Sequence, residues 1–449
     1  MTEKHFLHQL RRGLGSAIVE LYENPNRDKY RDIVLRCCLK DIGYDIQVEG
    51  TKGDYLYSAI CALNAKDEFE DIIINAFLKR LKHNLFRQLA DILWLYVDDG
   101  SEKARNAFHV KYQNLMERLL TQREFPLKLC EREQFEYLMI WEVDTHNWSG
   151  FKKCVADAGR IIKNRNDDDC SCYDWFLLHS ENIFSKKRMS QYFDTFSKKS
   201  DEVKAFVEAI NELEKIRESN SYLRIESEIT LENYISQAKE LAENENTYTR
   251  MWFFAMRFSS QAQQDDLHKL VHIIAAEQSE EVRANLLSVF GRTDFPADID
   301  LLIKYAESYH GRMLDVAVDA LKRFKDPRVH ELAIKFMTAG NLDAGLPLLI
   351  KNWRKQDEII IRERVLSSKK VTHSIQQDLR DIYSEHRSKS CGDILEHVYR
   401  NGECTFCRFG IVQAMWKSRV LKVNILNECL YDSYDETRKI AKRIIRYHG

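Results

Sequence analysis

The sequence predicts an all-α protein, and three observations support this prediction. Along most of the chain, apolar residues recur at the i, i+3, i+4, i+7 spacing that one buried helix face requires. Only 5 prolines and 16 glycines interrupt the 449 residues, which favours helices joined by short turns. No segment shows the clear alternation of apolar and polar residues that a half-buried strand requires. We therefore expect helices throughout and no sheet.

The first half contains a series of apolar stripes, each of which predicts one amphipathic helix. In chain order these stripes are Leu10, Gly13, Leu14, Ala17, Ile18 and Leu21; Tyr30, Ile33, Val34 and Cys37; Leu56, Ala59, Ile60 and Leu63; Phe69, Ile72, Ile73 and Ala76; and Val203, Phe206, Val207 and Ile210. The stripes are helical in period but irregular in arrangement. Residues 1–216 are therefore predicted to form an N-terminal helical region with degenerate repeats.

The second half repeats pairs of helices at a regular spacing. Its stripes are Val282, Leu286, Val289 and Phe290; Ile299, Leu302, Ile303 and Ala306; Leu314, Ala317, Val318 and Leu321; and Val329, Leu332, Ala333 and Phe336. The matching second helices begin at Ile299 and Val329, 30 residues apart, and a further pair begins near Leu342. A period of about 30 residues with two helices in each repeat is typical of an α-solenoid.

Two segments of this half resemble HEAT repeats. The segment LDVAVDALKRFKDPRVHELAIKFM has an apolar helix, a turn that carries Asp-Pro, and a second helix that opens on Val. The tail DSYDETRKIAKRIIRY is similar, with Asp435 and Arg438 where HEAT repeats often place an acidic–basic pair. The resemblance is clearest over residues 250–449. It implies a right-handed α-α superhelix of stacked antiparallel helix pairs, the fold of HEAT and armadillo-like proteins.

Two polar segments interrupt the helical pattern. Residues 164–172 read NRNDDDCSC, and residues 217–227 lose the apolar stripe before Thr230, which is suited to cap the next helix. We place a linker or long turn at 217–228, between the region 1–216 and a HEAT-like repeat region at 229–449. The pattern is equally compatible with two domains and with one continuous array.

Two segments of the first half are candidates for binding a partner. The long loop between the second and third predicted helices mixes acids, Gln and Tyr, a composition that loops with a function often have, although a structured turn is the alternative. Adjacent aromatics after the acidic segment suit an interface anchor, although core residues at a helix start are the alternative. The candidate residues are Tyr44, Asp45, Gln47, Glu49, Tyr173 and Trp175.

A Cys-x-x-Cys pair lies in the segment RNGECTFCRFG, residues 400–410. Cys404 and Cys407 fall on one helical face with Ile411, so we predict two thiols packed in a helical core. The alternatives are a zinc site, for which His386, Cys391 and His397 are the further possible ligands, and a redox pair at a helix N-terminus. The prediction is that the protein holds no metal and no other cofactor.

Charge and motifs argue against several classes of function. Lys and Arg number 68 against 70 Asp and Glu, a balance unlike that of a dedicated nucleic-acid binder. The sequence contains no His-Glu-x-x-His, Gly-x-Ser-x-Gly or Walker-type loop, so we expect no enzymatic activity. The start MTEKHFLHQLRRGLG lacks the apolar core of a signal peptide, and no run is long enough to span a membrane. A cytoplasmic protein is therefore expected.

The predicted function is that of a non-enzymatic scaffold or adaptor, which binds a partner protein on the concave surface of a solenoid. The alternative is a nucleic-acid-binding helical-repeat protein. Such a protein would resemble the bacterial DNA alkylation repeat glycosylases, which line a basic cleft with Trp, Tyr and a catalytic Asp. The chain has seven Trp, among them Trp94, Trp141, Trp353 and Trp416, but no local match identifies a catalytic Asp. The sequence does not indicate an oligomeric state.

Overall fold

The computed structural model describes residues 1–41, 52–79, 81–121, 129–165, 173–225, 229–243, 248–368 and 370–448. Within these ranges the chain forms α-helices and short 3-10 helices and contains no strand, apart from one isolated bridge between Val371 and Gly402. The prediction of an all-α protein is confirmed. Among the described residues, no helix is both long enough and apolar enough to cross a membrane.

The helices group into two compact units, with the division along the chain near residue 226. Unit 1 contains α1 Glu3–Arg11, α2 Gly15–Glu23, α3 Arg31–Cys38, α4 Lys52–Ala62, α5 Lys66–Phe77, α6 His83–Asp98, α7 Glu102–Thr121, α8 Leu129–Arg165, α9 Asp174–Phe184, α10 Lys186–Phe196 and α11 Asp201–Ile225. Helix α11 continues through part of the segment 217–228, in which we placed a linker or long turn. The sequence there contains no Pro or Gly that would end a helix.

Unit 2 contains the remaining helices. These are α12 Leu231–Ala242, α13 Tyr248–Gln261, α14 Gln264–Ala276, α15 Glu280–Leu287, α16 Asp300–Ser308, α17 Gly311–Leu321, α18 Pro327–Thr338, α19 Leu342–Asn352, α20 Glu358–Ser367, α21 His373–His386, α22 Gly392–Asn401, α23 Thr405–Lys417, α24 Val423–Cys429 and α25 Asp435–His448. A 3-10 helix at Ser288–Gly291 follows α15.

Helix α8 of unit 1 reverses direction at Asn147, where φ is 50° and ψ is −132°. Asn tolerates positive φ better than most residues, so it suits this turn. The two arms then run side by side, with Lys153 Nζ 2.8 Å from Glu142 Oε1. At Gly150, a Cβ atom would overlap the carbonyl oxygen of Glu142, so the close approach of the arms requires glycine there.

The second arm of α8 packs on α11 just as closely. A Cβ atom on Gly159 would overlap the carbonyl oxygen of Glu202, which is backbone and cannot rotate away. We expect Gly159→Ala to lower the free energy of unfolding by about 1–3 kcal/mol, because α8 and α11 must separate. Urea-induced unfolding followed by circular dichroism measures this change. Gly392→Ala is the matched control: its Cβ would lie 3.5 Å from Val420 Cβ, an ordinary contact, and should change stability little.

In unit 2 the helices pack in two rows. One row consists of α15, α17, α19, α21, α23 and α25, each of which contacts the next. A second row consists of α18, α20 and α22, and the pairs α18–α19 and α22–α23 join the two rows. Helix α16 packs on α17, and α24 packs on α25. Local sequence signals set where these helices begin. Asp326 caps α18 by accepting a hydrogen bond from the Arg328 N–H, and Pro327 occupies the first helical position.

Candidate functional site

A groove of about 310 Å³ lies in unit 2 between α13, α17 and the 3-10 helix Ser288–Gly291. Its walls include apolar, cationic and acidic side chains, among them Met251, Trp252, Arg292, Arg312, Asp319 and Lys322. Three separate elements of the fold supply these residues. The groove therefore depends on the packing of unit 2 and is not a property of any one helix.

An aromatic platform forms one wall of the groove. Helix α13 buries Met251, Ala255 and Phe258 in the core, which leaves Trp252 at the margin with 40% of its surface exposed. The Arg292 guanidinium carbon lies 4.4 Å from the centre of the Trp252 ring, a cation–π contact. Phe253 meets Trp252 edge-to-face at 5.1 Å and is 51% exposed. Exposed aromatic and Arg side chains of this kind are enriched at interface hot spots.

The opposite wall and its surroundings carry both signs of charge. Lys322 Nζ lies 2.6 Å from Asp319 Oδ1 on α17. Asp378 on α21 lies near this pair, and burial raises its pKa to about 7. The nearby carboxylates of Asp381, Asp343 and Asp319 also raise this pKa, while Lys322 lowers it. A row of carboxyl groups on α17, α19 and α21 therefore borders the cationic groove. The combined surface is mixed in charge.

The pKa of Asp378 predicts a dependence of stability on pH. A carboxyl whose folded-state pKa is raised is protonated more readily in the folded than in the unfolded chain, so stability falls as pH rises from about 4 to about 7. The side chain keeps some access to water, which moderates the effect, so we expect the loss to be about 1–2 kcal/mol. Urea unfolding at pH 5 and at pH 8 measures this fall in the free energy of unfolding. Asp378→Asn should remove the contribution of Asp378, so the variant should show a smaller difference between the two pH values.

The control for this measurement is the exposed Asp298. The Asp300 N–H and Arg328 hold its pKa below the ordinary value, so its titration falls below the pH range compared. Asp298→Asn should therefore leave the difference between pH 5 and pH 8 in place. An equal difference in wild type and Asp378→Asn would show that Asp378 does not cause it.

Of the six partner-binding residues predicted from sequence, Tyr173 and Trp175 lie in the described part of unit 1. Tyr44, Asp45, Gln47 and Glu49 lie outside the described residues. Tyr173 is buried, with its ring 5.6 Å from that of Phe206, so it belongs to the core as the alternative interpretation had it. Trp175, at the start of α9, is 70% exposed. Of the described candidates, only Trp175 is accessible.

The Cys-x-x-Cys pair lies where α23 begins. Cys404 is the N-cap residue, and its sulfur accepts a hydrogen bond from the Cys407 N–H at 3.4 Å. Gln376 on α21 holds this residue from both sides: the Cys404 N–H donates to Gln376 Oε1 at 3.2 Å, and Gln376 Nε2 donates to the Cys404 carbonyl at 3.3 Å. Both thiols are buried, as predicted for residues on a core-facing stripe.

A histidine completes this cluster. His373 Nδ1, at the start of α21, lies 3.2 Å from Cys407 Sγ. One ligand atom from each of His373, Cys404 and Cys407 falls within 4.8 Å of the others. A hydrogen bond from the Cys407 thiol lowers the pKa of Cys404, and the Cys407 N–H lowers it further, although burial opposes both. The same bond between the thiols, together with burial, raises the pKa of Cys407. Cys404 is therefore the more acidic thiol of the pair.

The structure changes the set of ligands considered from sequence. The Cys391 thiol donates to the Ser388 carbonyl at 3.0 Å, and His397 Nδ1 lies 3.4 Å from Asn401 Nδ2. Within the ranges that the structure describes, neither residue joins the cluster. The residue that does join it, His373, precedes Cys404 by 31 positions. One sequence signal could have identified this histidine. A repeat period of about 30 residues predicts that corresponding positions of adjacent helix pairs lie side by side.

No protein-family model matches this chain, and no curated protein sequence matches it either. Function is therefore inferred from the chemistry of the groove and of the thiol cluster.

Proposed function

We propose that unit 2 is a HEAT-like right-handed α-α superhelix and that the protein is a non-enzymatic adaptor, which holds a partner protein in the groove of α13 and α17. The observation that carries this proposal is the exposed Trp252–Arg292 pair in that groove. Scaffolds of stacked helix pairs commonly use the surface of one row of helices to bind a partner. The row that contains α17, α19 and α21 borders the groove.

Ion pairs between neighbouring repeats support the superhelical arrangement. Arg328 bonds Asp300 at a separation of 28 residues, Lys335 bonds Glu307 at 28, and Arg400 bonds Glu428 at 28. Separations close to the sequence period are expected when each helix pair stacks on the one before it. Packing of each odd-numbered helix from α15 to α25 on the next agrees with the same arrangement.

The groove favours a partner segment that combines an aromatic or aliphatic side chain with a carboxylate. The apolar side chain would stack on Trp252 and Phe253, while the carboxylate would pair with Arg292. Beyond the groove, the exposed carboxyl groups of Asp315 and Asp343 would favour basic residues further along the segment. A mixed-charge protein segment fits this surface.

Nucleic acid is the second candidate. Arg292, Arg312 and Lys322 outnumber Asp319 within the groove, and bases stack readily on an exposed Trp. The carboxyl groups on α17, α19 and α21 oppose this function, because a phosphate backbone that leaves the groove in their direction would be repelled. The protein partner is therefore the function that we propose.

The test is affinity purification of the full chain from its source cells, with and without nuclease, followed by mass spectrometry and chemical cross-linking. We expect a protein at stoichiometric yield that survives nuclease and cross-links to lysines near the groove, such as Lys322. Trp252→Ala should abolish its recovery. Nucleic acid alone, lost on nuclease treatment or in raised salt, would favour the second candidate.

Trp175→Ala is the matched control, because Trp175 is also an exposed tryptophan but lies on α9 of unit 1. Recovery of the partner should be the same as for the wild type. Loss of the partner with Trp175→Ala and retention with Trp252→Ala would reject the groove and assign binding to unit 1.

A further inference from the structure

His373, Cys404 and Cys407 form a group whose chemistry differs from that of the other buried cysteines described. Cys154 contacts the Tyr112 hydroxyl and the Met139 carbonyl, and Cys429 contacts the Tyr399 hydroxyl, as expected of thiols in a core. Cys404 and Cys407, by contrast, share their site with an imidazole nitrogen and with a helix N-terminus. Thiolate and imidazole together are the donor set that zinc prefers.

We infer that His373, Cys404 and Cys407 bind one Zn²⁺ ion, with the fourth coordination position directed to solvent. Zinc–sulfur bonds of about 2.3 Å and zinc–nitrogen bonds of about 2.0 Å place the donors of a tetrahedral site about 3.4–3.8 Å apart. The three donor atoms lie within 4.8 Å of one another, and His373 Nδ1 lies 3.2 Å from Cys407 Sγ. Small side-chain rotations therefore suffice to reach tetrahedral distances.

The backbone around the cluster already holds the ligands in place. Gln376 binds both the N–H and the carbonyl of Cys404, and the bridge between Val371 and Gly402 ties together the segments that precede the two helices. An ordered backbone of this kind lowers the entropy that ligands lose when they coordinate an ion. The two ligating segments come from adjacent helix pairs, so the ion would join α21 to α23.

A second residue on α21 orients the imidazole. The side-chain amide of Gln377 lies 2.8 Å from His373 Nε2. The oxygen and nitrogen of an amide occupy nearly equivalent positions, so in one of its two orientations the Gln377 oxygen accepts a hydrogen bond from Nε2–H. That hydrogen bond leaves the lone pair of Nδ1 for the ion. Metal-bound histidines usually donate their other ring N–H to an acceptor in this way.

The exposure of His373 directs one side of the site to solvent. Three protein ligands with an open fourth position differ from the closed four-ligand sites that serve only to stabilise a fold. The fourth ligand is water in the isolated protein. The same position is available to a thiolate, imidazole or carboxylate of another molecule.

The test is the metal content of the full chain, purified under reducing conditions with its affinity tag removed. We expect about one equivalent of zinc by mass spectrometry. We also expect a thiolate-to-cobalt charge-transfer band and the visible bands of a tetrahedral ion when Co²⁺ is added to the metal-free protein. Zinc should raise the melting temperature of the metal-free protein by at least about 3 °C.

Variants assign the ligands. Cys404→Ser and Cys407→Ser should reduce bound zinc to background, and His373→Ala should weaken zinc binding by at least tenfold. Gln377→Ala, which removes the orienting amide but no ligand, should weaken it about 10-fold or more while leaving the cobalt spectrum tetrahedral. Cys429→Ser is the matched control, since it removes a buried thiol of the same unit, and it should retain one equivalent.

Two results would overturn this inference. One is a reduced, folded wild-type protein with neither stoichiometric zinc nor a tetrahedral cobalt spectrum, in which case the two thiols are core residues. The other is a Cys404–Cys407 disulfide, found by differential alkylation of rapidly quenched cells, which would assign the pair to redox chemistry instead. Circular dichroism of each variant separates loss of a ligand from loss of the fold.

Discussion

Arg408→Met is expected to lower the free energy of unfolding by about 3–5 kcal/mol. Arg408 on α23 and Asp432, which precedes α25, are both fully buried. Arg408 Nε donates to Asp432 Oδ2 at 2.8 Å, and Nη2 donates to Oδ1 at 3.3 Å. Removal of the guanidinium leaves the Asp432 carboxylate buried without its counter-charge. The unfavourable desolvation of this carboxylate then lowers the free energy of unfolding. Urea-induced unfolding of the full chain measures the loss.

A double variant tests the cause of this loss. Arg408→Met combined with Asp432→Asn removes both charges, so it should recover at least about half of the stability that the single variant loses. Arg328→Met is the control, because water screens the ion pairs that the exposed Arg328 makes with Asp298, Asp300 and Asp326, so this variant should lose much less stability. Equal losses from Arg408→Met and Arg328→Met would show that burial does not govern the effect.

Arg292→Glu is expected to weaken binding of the protein partner by at least about 30-fold, which corresponds to about 2 kcal/mol. The substitution removes the cation that stacks on Trp252 and places a carboxylate where we propose that the partner's own carboxylate binds. It therefore replaces an attraction by a repulsion in a partly desolvated groove. Isothermal titration calorimetry with the purified partner measures the change.

Lys304→Glu provides the matched control for this charge reversal. Lys304 is exposed on α16, outside the residues that line the groove, and its replacement changes the net charge by the same amount. Its affinity should stay within about threefold of the wild type, because distant surface charges are screened by salt. If both variants bind equally weakly, net charge rather than the groove determines affinity.

Much of the helical structure follows from local signals in the sequence. Helix α18 begins at Pro327 because Asp326 caps it, and Val329, Leu332 and Ala333 are buried as their spacing predicts. The same reasoning placed Cys404 and Cys407 on a buried face at the start of a helix. Local rules succeed at these positions because a cap or a stripe involves residues within one or two turns of each other.

Other features depend on residues far apart in the chain. The reversal of α8 at Asn147 was not predicted, because it depends on the close approach that Gly150 allows between two arms. The polar stretch 217–225 was predicted as part of a linker or long turn at 217–228, yet it continues α11. Loss of an apolar stripe shows that a helix face is no longer suited to burial. It does not show that the helix ends.

The sequence by itself determined that the chain is helical, where many of its helices begin, and which faces are buried, because these depend on spacing and capping within one helix. Tertiary structure alone decided that His373 meets Cys404 and Cys407, and that Trp252, Arg292 and Lys322 line one groove. These residues come from different helices. Their distances are set by how the helices pack, a property that a one-dimensional pattern encodes only through its repeat period.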